Sequence, residues 1–304
     1  MRGAFVETLV ELAAVDERIL LLTGDLGFMA LEPFSDRFGD RFFNVGVAEQ
    51  NMIGIATGLA ESGFIPFVYS IATFASLRGY EFIRNGPIAH RLPVRIVGVG
   101  GGFEYGPAGP THHGLEDVGV MRAQPGITVI APADHEQTRT ALRATWDIEG
   151  PVYYRIGKDD RRVVPGLSGR FTLGSFDLVR DGSDLVLVTM GSLAATVLAA
   201  AEALAEDGVS AAVIVVSSLD GETHPQLAQA LSRFDRAMSV ESHFVNGGLG
   251  SLVAETIAEG GMATTLTRCG VSEGTTGRSG SAAYYLERHR LDRDAIVDRV
   301  RNPA

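Results

Sequence analysis

Short apolar runs alternate with amphipathic or small-residue segments along almost the whole chain. Each run has the length of a buried strand, and most segments between the runs are long enough for a helix. Because strands separated by helices assemble into parallel sheets with both faces covered, this pattern predicts an α/β fold with two doubly wound units. The predicted strands cover residues 19–23, 43–47, 64–69, 94–99, 128–131, 152–156, 185–189, 211–216 and 237–241.

A polar segment rich in glycine and proline separates the two units, at residues 157–170. The chain has 304 residues, which is enough for two domains that each bury a core. We therefore predict a first domain over residues 1–165 and a second domain over residues 171–304.

The charge balance argues against a nucleic-acid ligand. The chain has 26 Lys and Arg against 37 Asp and Glu, a net charge of −11 with no basic stripe, and such a field repels phosphate backbones. No apolar run is long enough for a membrane span, and the N-terminal stretch is too acidic for a signal peptide. Cys269 is the only cysteine, so we expect a buried apolar filler and a reducing compartment. These features predict a cytoplasmic protein that acts on small molecules.

Glu49 is a carboxylate in a segment that otherwise has the composition of a buried one, Val45-Gly-Val-Ala-Glu-Gln-Asn-Met-Ile-Gly-Ile-Ala. A buried carboxylate needs a partner, because removing a charge from water is costly. One possibility is that Glu49 complements the amides at a helix N-terminus. The other is that it is a desolvated group suited to sharing a proton with a ligand nitrogen.

A long loop rich in glycine and proline follows the fourth predicted strand, at residues 98–114, and loops of this length are often functional. It begins with Gly98-Val-Gly-Gly-Gly, which lacks the glycine spacing and the following helix of a dinucleotide-binding fingerprint. It ends with Thr111-His112-His113, but adjacent histidines point in different directions, so we predict no metal site here. For His112, a proton-shuttling imidazole and a solvated loop side chain both remain open.

Three further segments have structural explanations. Asp25 follows a predicted strand and is by default a turn former or a cap. Phe74 and Tyr80 are by default core aromatics, although the neighbouring Arg78 is less typical of a core. The string Asn246-Gly-Gly-Leu-Gly lacks the lysine and the spacing of a phosphate-binding loop, and therefore predicts tight packing of a helix on a strand.

Taken in order, several strings resemble the C-terminal half of a transketolase, over nearly the whole chain. The Val-Ala-Glu-Gln-Asn-Met block is the most specific of them. The strings are Thr23-Gly-Asp-Leu-Gly, Asn44-Val-Gly-Val-Ala-Glu-Gln-Asn-Met, Ala72-Thr-Phe, Gly109-Pro-Thr-His-His-Gly-Leu-Glu-Asp, Val129-Ile-Ala-Pro-Ala-Asp, Pro151-Val-Tyr-Tyr-Arg and Glu241-Ser-His-Phe-Val-Asn-Gly-Gly-Leu-Gly-Ser.

The resemblance implies a thiamine diphosphate enzyme with a pyrimidine-binding domain followed by a transketolase C-terminal domain. The family's diphosphate-binding domain, with its metal motif, has no counterpart in the chain. Mg²⁺ and the diphosphate are therefore expected on a separately encoded N-terminal transketolase subunit, as in split transketolases. Two copies of each chain are expected to assemble, so that a homodimer of this chain lies within a heterotetramer.

The resemblance also implies roles for single residues. Glu49 matches the family glutamate that hydrogen-bonds a ring nitrogen of the aminopyrimidine and so helps to form the nucleophilic carbon. Phe74 matches an aromatic residue that stacks on the pyrimidine. In such a site the cofactor carries out the chemistry, and the protein tunes it through these contacts.

Five more assignments follow from the same resemblance. Asp25 resembles the acid near the thiazolium ring, and Arg78 and Tyr80 are also expected at the cofactor. His112 resembles the histidine that contacts the donor hydroxyl or shuttles its proton. Arg155 resembles the arginine that grips a substrate phosphate.

Two departures from the family pattern affect the expected substrate. Gly100 stands where sugar-phosphate transketolases commonly have a histidine, and Pro107-Ala108 stands where they have Glu-Asp. By analogy these positions serve the acceptor's phosphate and its hydroxyl. A site without those partners selects ordinary aldose phosphates poorly, so we predict transfer of a two-carbon ketol unit with an atypical acceptor, less hydroxylated or unphosphorylated.

Three alternatives remain. A synthase similar to deoxyxylulose phosphate synthase would use pyruvate as the donor. The beta subunit of a 2-oxo acid dehydrogenase would depend on a lipoyl carrier. A non-catalytic scaffold subunit would keep the fold without the reaction.

Overall fold

The computed structural model describes residues 1–219, 224–274 and 277–302. The first domain contains one parallel sheet with its strands in the order β2-β1-β3-β4-β6-β5. Strands β1, β3, β4 and β6 are buried along their whole length, which explains their continuous apolar runs. In residues 1–166, which are described throughout, the strands are β1 (Ile19–Thr23), β2 (Phe42–Asn44), β3 (Ile65–Ile71), β4 (Arg95–Val99), β5 (Thr128–Ile130) and β6 (Val152–Ile156).

Helices cover both faces of this sheet. α1 and α6 pack against each other on one face, and α3 packs on β3 on the other. The helices are α1 (Arg2–Val15), α2 (Glu32–Ser35), α3 (Glu49–Glu61), α4 (Tyr80–Ile83), α5 (Asp117–Arg122) and α6 (His135–Thr145). Asp134 caps α6 by accepting a hydrogen bond of 2.8 Å from the amide of Gln137.

The segment after β3 is not one regular helix. The chain forms a π-helical turn over Phe74–Arg78, the short α4, and a second π-helical turn over Arg84–Ile88. Pro87 lies in the second turn, where it removes an amide donor from the regular helical pattern. Such π-helical turns are frequent at functional sites.

The second domain contains a sheet with the order β11-β10-β8-β9-β7, in which β7 is antiparallel and the other pairs are parallel. The edge strands β7 and β11 are not predicted from the sequence, because both are largely half-exposed and lack a continuous apolar run. Cys269 on β11 is buried, as expected. The described strands and helices are β7 (Phe176–Arg180), β8 (Leu185–Thr189), β9 (Ala211–Val216), β10 (Arg236–Phe244), β11 (Thr265–Val271), α7 (Ala194–Glu206), α8 (His224–Leu231), α9 (Leu249–Glu259), α10 (Ala282–Arg288) and α11 (Arg293–Arg301).

The two domains share apolar cores. Val129 of the first domain and Val188 of the second belong to one buried cluster, and Leu115 and Leu187 belong to another. None of the helices in the described part of the chain is long and apolar enough to cross a membrane.

The glycines before α9 serve helix–strand packing, which confirms the sequence prediction for this string. The Glu241 carboxylate accepts hydrogen bonds from the amides of Leu249 (2.7 Å) and Gly250 (2.8 Å), at the start of the helix. An added Cβ at Gly248 would collide with that carboxylate. Burial raises the pKa of Glu241 to about 7, while the two amides oppose this shift.

His243 joins the two domains through a hydrogen bond. Its Nε2 accepts from the amide of Gly119 in α5 (3.2 Å), and its Nδ1 lies 2.7 Å from the carbonyl oxygen of Phe244. This pattern assigns the neutral tautomer with the proton on Nδ1. Burial lowers the pKa of His243, and Arg155 adds to this effect, while Asp117 opposes it.

We predict that acid weakens the folded chain through His243. Because the pKa of His243 is lower in the folded state, the unfolded state binds more protons when the pH lies between the two pKa values. His243 therefore contributes stability that is lost as pH falls through its ordinary pKa of about 6.5. His243→Gln keeps an acceptor for Gly119 but does not titrate. Urea unfolding at about pH 7.5 and about pH 5.5 should show a larger loss in the wild type than in the variant.

Glu241 lies 3.8 Å from His243 and contributes with the opposite sign, since its raised pKa stabilises the fold as pH falls below about 7. Glu241 is present in both proteins, so its contribution to the free energy of unfolding cancels to first order when their losses are compared. Parallel losses of unfolding free energy in the two proteins would contradict the role given to His243.

Candidate active site

Three of the predicted site residues lie at one edge of the first sheet. β1 lies between β2 and β3, so the carboxyl ends of these three strands meet. Asp25 follows β1, Glu49 begins α3 after β2, and Phe74 begins the π-helical turn after β3. Crevices outside the carboxyl ends of parallel strands are the usual binding sites of open α/β sheets.

Glu49 is a buried carboxylate with two side-chain donors. Its side chain is 1% exposed; Oε1 accepts from the Ser70 hydroxyl at 2.9 Å, and Oε2 accepts from Nη1 of Arg78 at 2.8 Å. The backbone of Gly24 covers the carboxylate, since an added Cβ there would lie 3.5 Å from Oε1. Glu49 does begin α3, but its carboxylate is held by these side chains rather than by the amides of its own helix.

Arg78 connects Glu49 to Phe74. Phe74 and Arg78 are four positions apart on a helical turn, so they lie on one face. The guanidinium carbon of Arg78 is 3.8 Å from the centroid of the Phe74 ring, a cation–π contact. The Arg78 side chain remains 44% exposed, so solvent reaches one side of this arrangement.

His112 approaches Phe74 from the loop between β4 and α5. The two rings meet edge to face with their centroids 5.0 Å apart, and the Thr111 hydroxyl oxygen lies 3.0 Å from Nδ1 of His112. His113 points into a different cluster of rings, as expected for adjacent histidines. In residues 1–219, 224–274 and 277–302, no three His, Cys, Asp or Glu side chains are grouped to hold a metal ion.

Asp25 and Tyr80 occupy less direct positions. Asp25 adopts a left-handed conformation (φ 60°), and its Oδ1 accepts a hydrogen bond from the side-chain amide of Asn44 at 2.8 Å. This bond links the ends of β1 and β2. The Tyr80 hydroxyl donates a hydrogen bond to the carbonyl oxygen of Val120 (2.9 Å) and accepts one from the side-chain amide of Gln124 (2.7 Å). Tyr80 therefore fastens its segment to α5, and these bonds do not support a contact with the cofactor.

Arg155 lies between the domains rather than in the crevice. Its Nε donates to Oδ2 of Asp117 at 2.8 Å, and its Nη2 donates to the carbonyl oxygens of Gly114 and Ser242, both at 2.9 Å. Its side chain is only 6% exposed. These protein partners occupy Nε and Nη2, and no hydrogen bond is described for Nη1, so the phosphate-binding role of Arg155 stays a prediction.

The glycines at the start of the loop allow this arrangement. An added Cβ at Gly101 would collide with the Arg155 guanidinium, and one at Gly102 would collide with Ser242 of the second domain. Gly102 also has a φ of 67°, which favours glycine. The glycine run therefore serves close packing, in agreement with the sequence argument against a dinucleotide site.

Lys158 is a candidate that the sequence argument missed. Its ammonium nitrogen lies 4.0 Å from the centroid of the Tyr105 ring, which is itself 6.5 Å from the His112 ring. The ammonium group has one described hydrogen bond, to the carbonyl oxygen of Glu104, which is long at 3.5 Å. Two signals could have found it, because Lys158 is the only lysine in the chain and follows the carboxyl end of β6.

Comparison with known proteins assigns both domains. Residues 1–162 match the transketolase pyrimidine-binding domain, and residues 174–296 match the transketolase C-terminal domain. The chain is 35% identical to an apulose-4-phosphate transketolase subunit of Actinobacillus succinogenes, over 88% of this chain and 86% of the relative. It is also 35% identical to a 6-deoxy-6-sulfo-D-fructose transketolase subunit of Clostridium sp. (strain MSTE9), over 98% of this chain and 92% of the relative.

A solved structure gives the same result. It is a split gene transketolase in the form of an inactive beta4 tetramer, and it matches this chain with a TM-score of 0.87 and 32% identity. The match covers 99% of this chain and 96% of that chain. The likeness therefore extends over both domains.

We predict that Asp117→Asn destabilises the chain by about 3 kcal/mol, because it leaves the buried Arg155 guanidinium without its counter-charge. Urea unfolding of the purified chain measures the change. Asp16→Asn is the matched control, since Asp16 pairs with the exposed Arg18 and should cost less than about 1 kcal/mol. Equal losses in the two variants would contradict a structural role for the Arg155–Asp117 pair.

Proposed function

Because the chain belongs to the transketolase family, we propose that it is the pyrimidine-binding subunit of a split, thiamine diphosphate-dependent transketolase. The observation that carries the proposal is the cluster of Glu49, Phe74, Arg78 and His112 at the carboxyl ends of the parallel strands. The proposed limits of the two domains are residues 1–165 and 171–304, and the proposed location is the cytoplasm.

The site residues fit an aminopyrimidine ring. Members of the transketolase family are generally thiamine diphosphate-dependent. Glu49 offers a buried carboxylate for a ring nitrogen, and Phe74 offers an aromatic face for stacking. Arg78 now makes the same two contacts, one with each residue, so a ring that binds here must displace its guanidinium.

Each residue has a defined task in the proposed reaction. When bound, thiamine diphosphate supplies the nucleophilic carbon that attacks a ketone carbonyl. Glu49 shares a proton with the ring nitrogen, in surroundings that exclude water. His112 holds or moves the proton of the donor hydroxyl, and Asp25 is the residue that resembles the family's acid near the thiazolium.

The proposed partner is an N-terminal transketolase subunit that holds the diphosphate and Mg²⁺. Exposed apolar side chains accompany the site residues on each of the three segments, namely Phe28 (85% exposed), Val47 (69%) and Leu77 (40%). Exposed apolar side chains close to a site are typical of an interface. The relatives named as transketolase subunits support a divided site, and the solved beta4 tetramer supports self-association of this chain. The proposed stoichiometry is a homodimer of this chain within a heterotetramer.

The proposed reaction transfers a two-carbon ketol unit between a ketose-type donor and an atypical acceptor. Both relatives are named for sugars that carry an anionic group, a phosphate in one and a sulfonate in the other. Lys158 is the cation that we assign to such a group, in place of Arg155. High efficiency with xylulose 5-phosphate and ribose 5-phosphate would contradict the atypical acceptor, and decarboxylation of pyruvate would favour the synthase alternative.

We predict that Glu49→Gln lowers kcat by about a hundredfold or more, because the amide does not share a proton with the ring nitrogen. The assay uses this chain co-purified with its N-terminal subunit, thiamine diphosphate and Mg²⁺, and follows ketol transfer from hydroxypyruvate. Glu61→Gln is the matched control, since Glu61 is exposed at the other end of α3. Full activity of Glu49→Gln would contradict the catalytic role, and no activity in the wild-type pair would favour the scaffold alternative.

Lys158→Met should raise the KM for a sugar that carries a terminal phosphate or sulfonate by about tenfold to a hundredfold, because a charge-assisted hydrogen bond is lost. Lys158→Arg should restore most of the affinity. The KM for the unphosphorylated counterpart of the same sugar should stay within about twofold in both variants. An equal rise for charged and neutral sugars would contradict anion binding by Lys158.

A further inference from the structure

Four aromatic rings join the loop that carries His112 to the second domain; we call them the ring clamp. Phe103 and His113 belong to the loop, Tyr285 lies in α10, and His289 follows it. Phe103 is parallel to Tyr285 (centroids 4.8 Å apart, 9°) and to His289 (5.1 Å, 7°). His113 meets Phe103 and Tyr285 edge to face, at 5.1 Å and 4.7 Å. These distances are those of favourable aromatic pairs.

The clamp is buried and depends on ring packing. Phe103, Tyr285 and His113 are 1%, 1% and 3% exposed. Neither ring nitrogen of His113 has a hydrogen-bond partner among the described residues. Burial lowers the pKa of His113, the backbone of Gly106 opposes this shift, and His289 and His112 add to it. The rings of Phe103 and Tyr285 pack against the imidazole on two sides and orient it.

The clamp and His112 lie on opposite sides of the same stretch of chain. His113 points into the clamp, whereas the preceding residue, His112, points to Phe74 at 5.0 Å. The base of the loop is closed by paired backbone hydrogen bonds between Gly102 and Gly114, at 2.7 Å and 3.0 Å. Between these ends, the loop packs on the second domain, where an added Cβ at Gly106 would meet the backbone of Gly280.

We propose that the ring clamp is a positioning device, through which Tyr285 and His289 of the second domain hold His112 against Phe74. The proposal rests on the proposed function, since it makes His112 the group through which the clamp affects catalysis. The second domain then contributes to the reaction rate by fixing this loop. A misplacement of about 1 Å is enough to reduce catalysis strongly, because reacting groups must be held in a near-attack geometry.

Tyr285→Leu tests the clamp in the full-length chain without cofactor or partner. It removes the ring at the centre of the clamp, whereas Tyr285→Phe keeps the ring and loses only the hydroxyl's bond to the carbonyl oxygen of Arg278. Phe234→Leu is the matched control, because Phe234 is a buried ring of the second domain in a different apolar cluster. Hydrogen exchange followed by mass spectrometry reports local opening of the segment 100–116.

We expect Tyr285→Leu to speed exchange in residues 103–113 by about tenfold, with the peptides of β3 and β4 unchanged. Tyr285→Phe and Phe234→Leu should stay within about twofold of the wild type in this segment. An unchanged exchange rate in Tyr285→Leu would overturn the proposal that the clamp holds the loop. An equal increase of the exchange rate in the Phe234→Leu control would overturn it as well.

A double-mutant cycle in the complex with the N-terminal subunit separates positioning from general damage. Tyr285→Leu should lower kcat by about tenfold, with little change in the KM for the sugar, and should have almost no further effect when His112 is already Ala. A similar kcat loss in both backgrounds would overturn the action through His112. If the wild-type complex transfers no ketol unit, the proposed function fails, and the exchange measurement alone then decides whether the clamp holds the loop.

Discussion

The burial of the Glu49 carboxylate is the constraint on which the site depends. A charge removed from water is tolerated only with close partners, and Ser70 and Arg78 supply them from two other segments. Arg78 reaches Glu49 because the chain after β3 forms a π-helical turn, which also brings the guanidinium over Phe74. The carboxylate, the cation and the aromatic face are therefore one unit, and a change in any of them alters the others.

A second buried ion pair joins the two domains. Arg155, Asp117 and the carbonyl oxygens of Gly114 and Ser242 form a network with little access to solvent. Buried polar contacts restrict geometry more than apolar contacts do, because a shifted partner leaves an unpaired group inside the protein. The same network holds Gly114, which closes the base of the loop that carries His112. The polar network at the domain interface therefore also holds the loop that borders the crevice.

The central strands and the burial of Glu49 could be predicted from the sequence, because both depend on local runs of apolar residues. The partners of Glu49 could not, since Ser70 and Arg78 lie 21 and 29 positions away and only the sheet topology brings them near. The motif assigns Arg155 to the substrate because motifs record which residue is present and not where it points. Arg155 is part of the fully buried strand β6, whereas Lys158 follows the carboxyl end of that strand, and open α/β sheets usually bind ligands at such ends.

Arg78 also gives a physical reason why a divided site can exist as a folded chain. A carboxylate reserved for a ligand would be an unpaired buried charge whenever the ligand was absent, at a cost of several kcal/mol. The guanidinium removes that cost by pairing with Glu49, and it covers the Phe74 ring that a bound pyrimidine would need. Because the Arg78 side chain is nearly half exposed, it can leave toward solvent without disturbing the core. On the proposed function, Arg78 keeps Glu49 paired in the folded chain, and a bound pyrimidine ring takes the place of the guanidinium on Phe74.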